Sequence, residues 1–280
     1  FKSCSLGILI SLSATAADKS KDTLPPMTAN NLPDDIPALW ETFDTTKDAL
    51  EMKVLHEYEK DDLTIKMISY VVGTFKGKKI LMGAYLAYPT KVKGKLPGIV
   101  QIHGGGQRAM ADYAFGIAQN GYAVLATNWG GRLMEHQEKG QPAEGKIATD
   151  WSPLDATQKH NGWYAKTSPD KYTYDDFDSP RNNNWFLINM ANKRAITLLQ
   201  QLTFVDPEKI GIHGHSMGGK LSVMLAGTDK RVKVAVPSCG GTGNAPKELK
   251  ARKGNSARPQ PITPHYAKYI DDALLLPYVT

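Results

Sequence analysis

The chain reads Ile210-Gly211-Ile212-His213-Gly214-His215-Ser216-Met217-Gly218-Gly219-Lys220-Leu221-Ser222-Val223-Met224-Leu225-Ala226-Gly227 over one short stretch. Its centre, Gly214 to Gly218, has the form G-x-S-x-G. Average glycine and serine usage produces that pentapeptide in roughly one chain in ten of this length, so the flanks carry the information. Ile210–His213 reads as a short buried strand. Lys220–Ala226 reads as a helix, with Gly227 placed to end it. Strand, tight turn and helix together are the setting of a nucleophile elbow, in which a strained turn exposes a serine hydroxyl. Gly214 and Gly218 are expected to be small because strand and helix pass close together there. A phosphate-binding loop is the rival reading, since Gly214 followed by Gly219-Lys220 has the G-x-x-x-x-G-K spacing. That loop requires Ser or Thr next, as a magnesium ligand, and the chain has Leu221.

Outward from the elbow, strands and helices alternate. Val232–Val236 is the following strand. Upstream, Val205-Asp206-Pro207-Glu208 reads as a turn and Asn184–Leu202 as a long amphipathic helix. Pro97–Ile102 is a strand ending at His103-Gly104-Gly105-Gly106, Ala109–Asn120 a helix closed by Gly121, and Tyr122–Ala126 the next strand. Alternation from 97 to 238 implies an α/β fold: a mostly parallel sheet with helices on both faces. Glu51–Tyr58, Leu63–Phe75 and Lys79–Tyr88 have strand composition and predict antiparallel N-terminal strands, separated by Asp61-Asp62 and Gly77-Lys78. A short helix is expected around Trp40. The segment 133–183 breaks the rhythm. It lacks a sustained period but carries Trp151, Trp163, Tyr164, Tyr172, Tyr174 and Phe177. Loops of that length are functional or disordered, and the aromatics argue against disorder. A lid or substrate-facing excursion is expected there, against a surface wrap that only packs.

The 280 residues are 41% hydrophobic and 22% charged, enough for one large domain with a substantial core. The net charge is +6. Lysines are scattered from Lys47 to Lys268, however, and no stretch pairs basic residues with regularly spaced aromatics. A solvated basic surface follows, with no nucleic-acid partner. Leu6–Leu12 is apolar and Ala14-Thr15-Ala16 follows it as a cleavage site. Residues 1–16 therefore read as a signal peptide without its first residues, against a disordered tail. The run is too short to span a bilayer, and no other apolar run reaches membrane-spanning length, so no membrane partner is expected. Residues 17–37 read as a polar, Pro-rich linker and 38–280 as the α/β domain. Cys4 belongs to the leader, which leaves Cys239 as the only cysteine of the mature chain and no intrachain disulfide.

A serine hydroxyl needs a base to take its proton and donors to hold the developing oxyanion. Ser216 is the candidate nucleophile. The N–H of Met217, which opens the helix, is the first candidate donor. The second is expected from the loop after a neighbouring strand, which selects Gly105 and then Gly106; His103 is expected to hold that loop rather than act as base. The acid and histidine should follow the serine in that order. The only later histidine is His265, within a run that looks like a helix start. Asp229 comes too soon after the elbow helix for the usual acid loop. Both partners are therefore expected beyond Thr280, with the sheet incomplete at the C-terminus. His213-x-His215 has same-face strand spacing but no third ligand, so no metal site is expected. Asp175, Asp176 and Asp178 lack the Gly and Glu of a calcium loop and read as a solvated acidic turn. Arg132 either borders the pocket or makes a structural salt bridge.

HGGGQ at 103–107, NWGGR at 128–132, TDWSPLDATQ at 149–158, SPRNNNW at 179–185, VDPEKIGIHGHSMGGK at 205–220 and VPSCGG at 236–241 resemble secreted α/β-hydrolases. The similar branch is the dienelactone-hydrolase-like and acetyl-xylan-esterase-like group, and the resemblance covers about residues 40 to 280. Dienelactone hydrolases proper use a cysteine nucleophile, so Ser216 favours the esterase side. The resemblance implies an α/β-hydrolase fold and cofactor-free hydrolysis of carboxylic esters, acetyl groups on plant or algal polysaccharide among them. It also implies a secreted or periplasmic protein. The family's acid and histidine have no clear match here. A peptidase of the same fold and a non-catalytic hydrolase-like binding module are the alternatives.

Overall fold

The computed structural model describes residues 23, 33–41, 43–75, 78–130, 134 and 184–240. Residues 1–16, expected to be a leader, residues 241–280, and most of 17–37 and 133–183, expected to be a linker and a substrate-facing excursion, lie outside the described residues. A short helix, α1 (Ile36–Glu41), carries Trp40 as expected. Then come β1 (Lys53–Lys60), β2 (Leu63–Phe75) and β3 (Lys78–Pro89), paired antiparallel. Asp61 and Asp62 join the first two at φ 48° and 62°, the two left-handed positions of a tight hairpin turn. The remainder alternates: β4 (Leu96–Ile102), α2 (Ala111–Ala118), β5 (Ala123–Thr127), α3 (Asn184–Gln201), β6 (Val205–His215), α4 (Met217–Ala226) and β7 (Val232–Ser238).

The seven strands form one sheet in the order β1-β2-β3-β5-β4-β6-β7. β5, β4, β6 and β7 run parallel, and β3 meets β5 antiparallel. The period-2 alternation of strand side chains builds two cores. Val100, Ile102, Leu125, Ile210 and Ile212 face α1, α3 and α4. Ile65, Met67, Tyr85, Val124 and Ala126 face α2. This is the α/β-hydrolase architecture, with helices on both faces. No helix among the described residues is long and apolar enough to cross a membrane.

Three local expectations change. The turn at Asp206-Pro207-Glu208 does not precede the elbow strand but lies inside it. Pro97 pairs with Asp206 and Gly98 with Ile210, so residues 207–209 bulge from a strand that starts at Val205. Gly227 ends α4, but at φ −75°, so the freedom of glycine is not used there. The helix α3 is not amphipathic in the solvent-facing sense: every residue from Phe186 to Leu199 is buried. Several of its polar side chains bond to neighbouring elements or to the helix backbone instead. Asn192 accepts a hydrogen bond from Thr127 (2.8 Å). Arg194 donates to the carbonyls of Thr45, Asp48 and Val71 and thereby fastens the 43–50 segment to β2.

Lys193 and Asp229 form a second buried polar cluster. Lys193 Nζ donates to Thr228 O, lies 4.6 Å from the Trp40 ring centre and 3.7 Å from Asp229 Oδ2. Arg231 holds the same carboxylate through two bonds of 2.8 and 2.6 Å. Burial, the largest influence, pushes the Asp229 carboxyl up, but the bonds from Arg231 and the Lys193 charge outweigh it and the net displacement is downward. Burial pushes the Lys193 ammonium down to about 8. A carboxyl whose folded-state pKa is depressed stabilises the fold above the ordinary carboxylate range, and that stability is lost as pH falls through the lowered value. Asp229→Asn is therefore expected to cost about 3 kcal/mol at neutral pH, because it leaves the buried Lys193 ammonium and the partly buried Arg231 without their anion. Urea unfolding of both proteins from pH 7 to about pH 2.5 checks this, with the gap closing on the acid side; a gap that stays constant contradicts it.

Candidate active site

The site sits at the C-terminal edge of the parallel strands. β4 and β6 are adjacent and in register, Ile102 beside Gly214, so the segments that follow them leave the sheet at the same end. Ser216 joins β6 to α4 at φ 55°, ψ −115°, a backbone conformation that L residues rarely adopt and that costs of order 1–3 kcal/mol. Its N–H donates to Ser238 O at the end of β7 (2.8 Å), and its hydroxyl-bearing residue is exposed.

Two glycines make the turn possible. A Cβ on Gly214 would lie 2.1 Å from Gly218 O, and a Cβ on Gly218 would lie 2.1 Å from Ile102 O and 2.8 Å from His103 O. The strand-to-helix turn is thus pressed against the end of β4 with no room for a methyl group. Met217 opens α4, so its N–H belongs to the first turn, whose amides have no partner within the helix.

The His103–Gly106 segment lies against this elbow. A Cβ on Gly104 would be 3.2 Å from His215 O. His103 is buried, its ring stacked on Trp129 at 4.7 Å and 7° between planes. Gly130 N–H donates to His103 Nε2 (3.2 Å), so the ring proton sits on Nδ1 and is donated to Gly104 O (2.7 Å). Trp129 Nε1 donates to His103 O, and Ala109 N–H to Asn128 Oδ1. Gly106 stands at φ 70°, as the third position of a type II turn requires. The structure therefore brings Ser216, Met217, Gly105 and Gly106 to one end of the sheet.

Other candidates fall elsewhere. Asp229 precedes β7, whereas Ser238 at the far end of that strand touches the elbow. About 20 Å of strand separates the two ends. His215 is exposed and its Nδ1 lies 3.4 Å from Ser238 Oγ. His213 is half-buried, its Nδ1 has no hydrogen-bond partner among the described residues, and burial, then the neighbouring His215, pushes its imidazole toward the neutral form. Among the described residues no histidine ring is hydrogen-bonded to the Ser216 hydroxyl. Leu221, where a phosphate-binding loop needs a hydroxyl, is fully buried in the core. His265, Arg132, Asp175, Asp176 and Asp178 lie outside the described residues. Two residues of the quoted motifs have structural roles that their sequence does not reveal: Gln107 closes the glycine turn, and the Cα of Gly240 would lie 2.8 Å from a Cβ on Gly219. Only the spacing of VPSCGG hinted at the second.

The model of the acetyl xylan esterase family, AXE1, matches residues 24–240. Among solved structures, the acetyl xylan esterase from Paenibacillus sp. R4 is similar at 15% identity and TM-score 0.64, over 92% of this chain and 79% of that one. Acetyl xylan esterase 1 from Thermoanaerobacterium sp. JW/SL YS485 is similar at 16% identity and TM-score 0.59, over 91% and 78%. No curated protein matches the chain.

Proposed function

Because the chain belongs to the acetyl xylan esterase family and is a carboxylic ester hydrolase, we propose that it removes acetyl groups from polysaccharide with Ser216 as nucleophile. The strained backbone of Ser216 beside the glycine turn is the observation that carries this reading. Ser216 Oγ attacks the ester carbonyl carbon while its proton passes to a general base. The carbonyl oxygen becomes an oxyanion, held by the N–H groups of Met217 and Gly105, with Gly106 as the alternative donor. Its collapse expels the sugar hydroxylate, which takes up the proton, and leaves acetyl-Ser216. Water then repeats the sequence and releases acetate. The base and its carboxylate partner come from outside the described residues. No cofactor enters these steps. Residues 1–16 serve as an export signal, consistent with a polysaccharide substrate outside the cell.

Acetate released from acetylated xylan by the full-length protein tests the substrate, and steady release is expected. Cleavage of peptides with the xylan left acetylated would move the function to the peptidase reading. A protein that binds acetylated xylan and hydrolyses no ester would be a binding module.

A further inference from the structure

We propose that Gln107 is a positioning residue for the oxyanion donor, an inference that rests on the function proposed above. Gln107 holds Gly104 from two sides. Its side-chain Oε1 accepts the Gly104 N–H (3.0 Å), and its own N–H donates to Gly104 O (3.3 Å). His103 Nδ1–H donates to the same carbonyl (2.7 Å). Both polar ends of Gly104 are therefore committed inside the turn, so its N–H is not available to a substrate. In a trans peptide the carbonyl and the following N–H point in opposite directions, and the described chain has no cis peptide. With Gly104 O drawn inward, Gly105 N–H is turned out of the turn. The same geometry selects Gly105 over Gly104 as donor, and leaves Gly106 to supply the left-handed turn position at φ 70°.

Three glycines in succession give this loop no side chains of their own to fix it, and flexible donors are poor oxyanion holes. Gln107 supplies a constraint from the fourth position, alongside the His103 bond to Gly104 O. Its side chain is exposed, so its replacement leaves the buried core intact.

The experiment compares Gln107→Met, which keeps the length and loses the acceptor, with Gln107→Glu, which keeps an acceptor oxygen in place. In the full-length protein acting on p-nitrophenyl acetate, Gln107→Met is expected to lower kcat by about tenfold or more with KM within about twofold. Gln107→Glu is expected to recover most of that loss, and neither variant to shift Tm by more than a few degrees. A Gln107→Met protein with kcat within twofold of wild type overturns the inference. So does a loss in KM alone, or a loss of rate that follows a loss of Tm. Labelling by a fluorophosphonate separates the two levels. If the wild type is not labelled at Ser216, the function itself fails and the inference with it. If Ser216 is labelled and Gln107→Met reacts at the wild-type rate, only the role of Gln107 fails.

Discussion

Ser216→Ala in the full-length protein is expected to lower kcat for p-nitrophenyl acetate by on the order of 10⁶, leaving the residual rate that binding and the oxyanion donors supply. The fold should persist. Alanine has the same Cβ as serine and meets the same backbone requirement at φ 55°, and the Ser216 N–H bond to Ser238 O does not involve the side chain. Unfolding midpoints of the two proteins should therefore agree while their rates diverge. A variant that keeps a tenth of wild-type activity would remove Ser216 from the chemistry.

Gly218→Ala should be among the most damaging single methyl groups in the described chain, with Gly214→Ala. Its Cβ would sit 2.1 Å from Ile102 O and 2.8 Å from His103 O. Both are backbone atoms at the end of a central strand, so no rotamer change relieves the clash. Accommodation requires α4 to move away from β4, which separates the elbow from the glycine turn. A loss of at least about 3 kcal/mol is expected, at the upper end of overpacking costs, with activity lost even where folded protein is recovered. Urea unfolding measures the first and p-nitrophenyl acetate turnover the second. A Gly218→Ala protein with the wild-type midpoint would mean that the elbow and β4 are farther apart than the structure has them.

Local chemistry made the centre of the fold legible. G-x-S-x-G works as a sequence signal because two close approaches, Gly214 to Gly218 and Gly218 to Ile102, exclude any side chain. HGGG works in part because Gly106 stands at φ 70°, a region that favours glycine. Asp61-Asp62 marked a hairpin for the same local reason. What stayed hidden depended on distant partners. The polar positions of α3 look like a solvent face, yet Asn192 and Arg194 bond to β5, β2 and the 43–50 segment. Gln107 looks like an ordinary loop residue until its side chain is seen to close on Gly104. The bulge at residues 207–209 follows from pairing with β4, which no local pattern encodes.

The central claim, that Ser216 is the activated nucleophile of an esterase, is tested most directly by locating a covalent label. The full-length protein is treated with a fluorophosphonate, digested, and its peptides are weighed and sequenced by mass spectrometry. One phosphonyl group per chain is expected, on Ser216 within the peptide that runs through Gly214-His215-Ser216-Met217-Gly218, with ester hydrolysis lost in proportion to labelling. An active enzyme whose label sits on another residue, or which stays unlabelled while it hydrolyses esters, would contradict it.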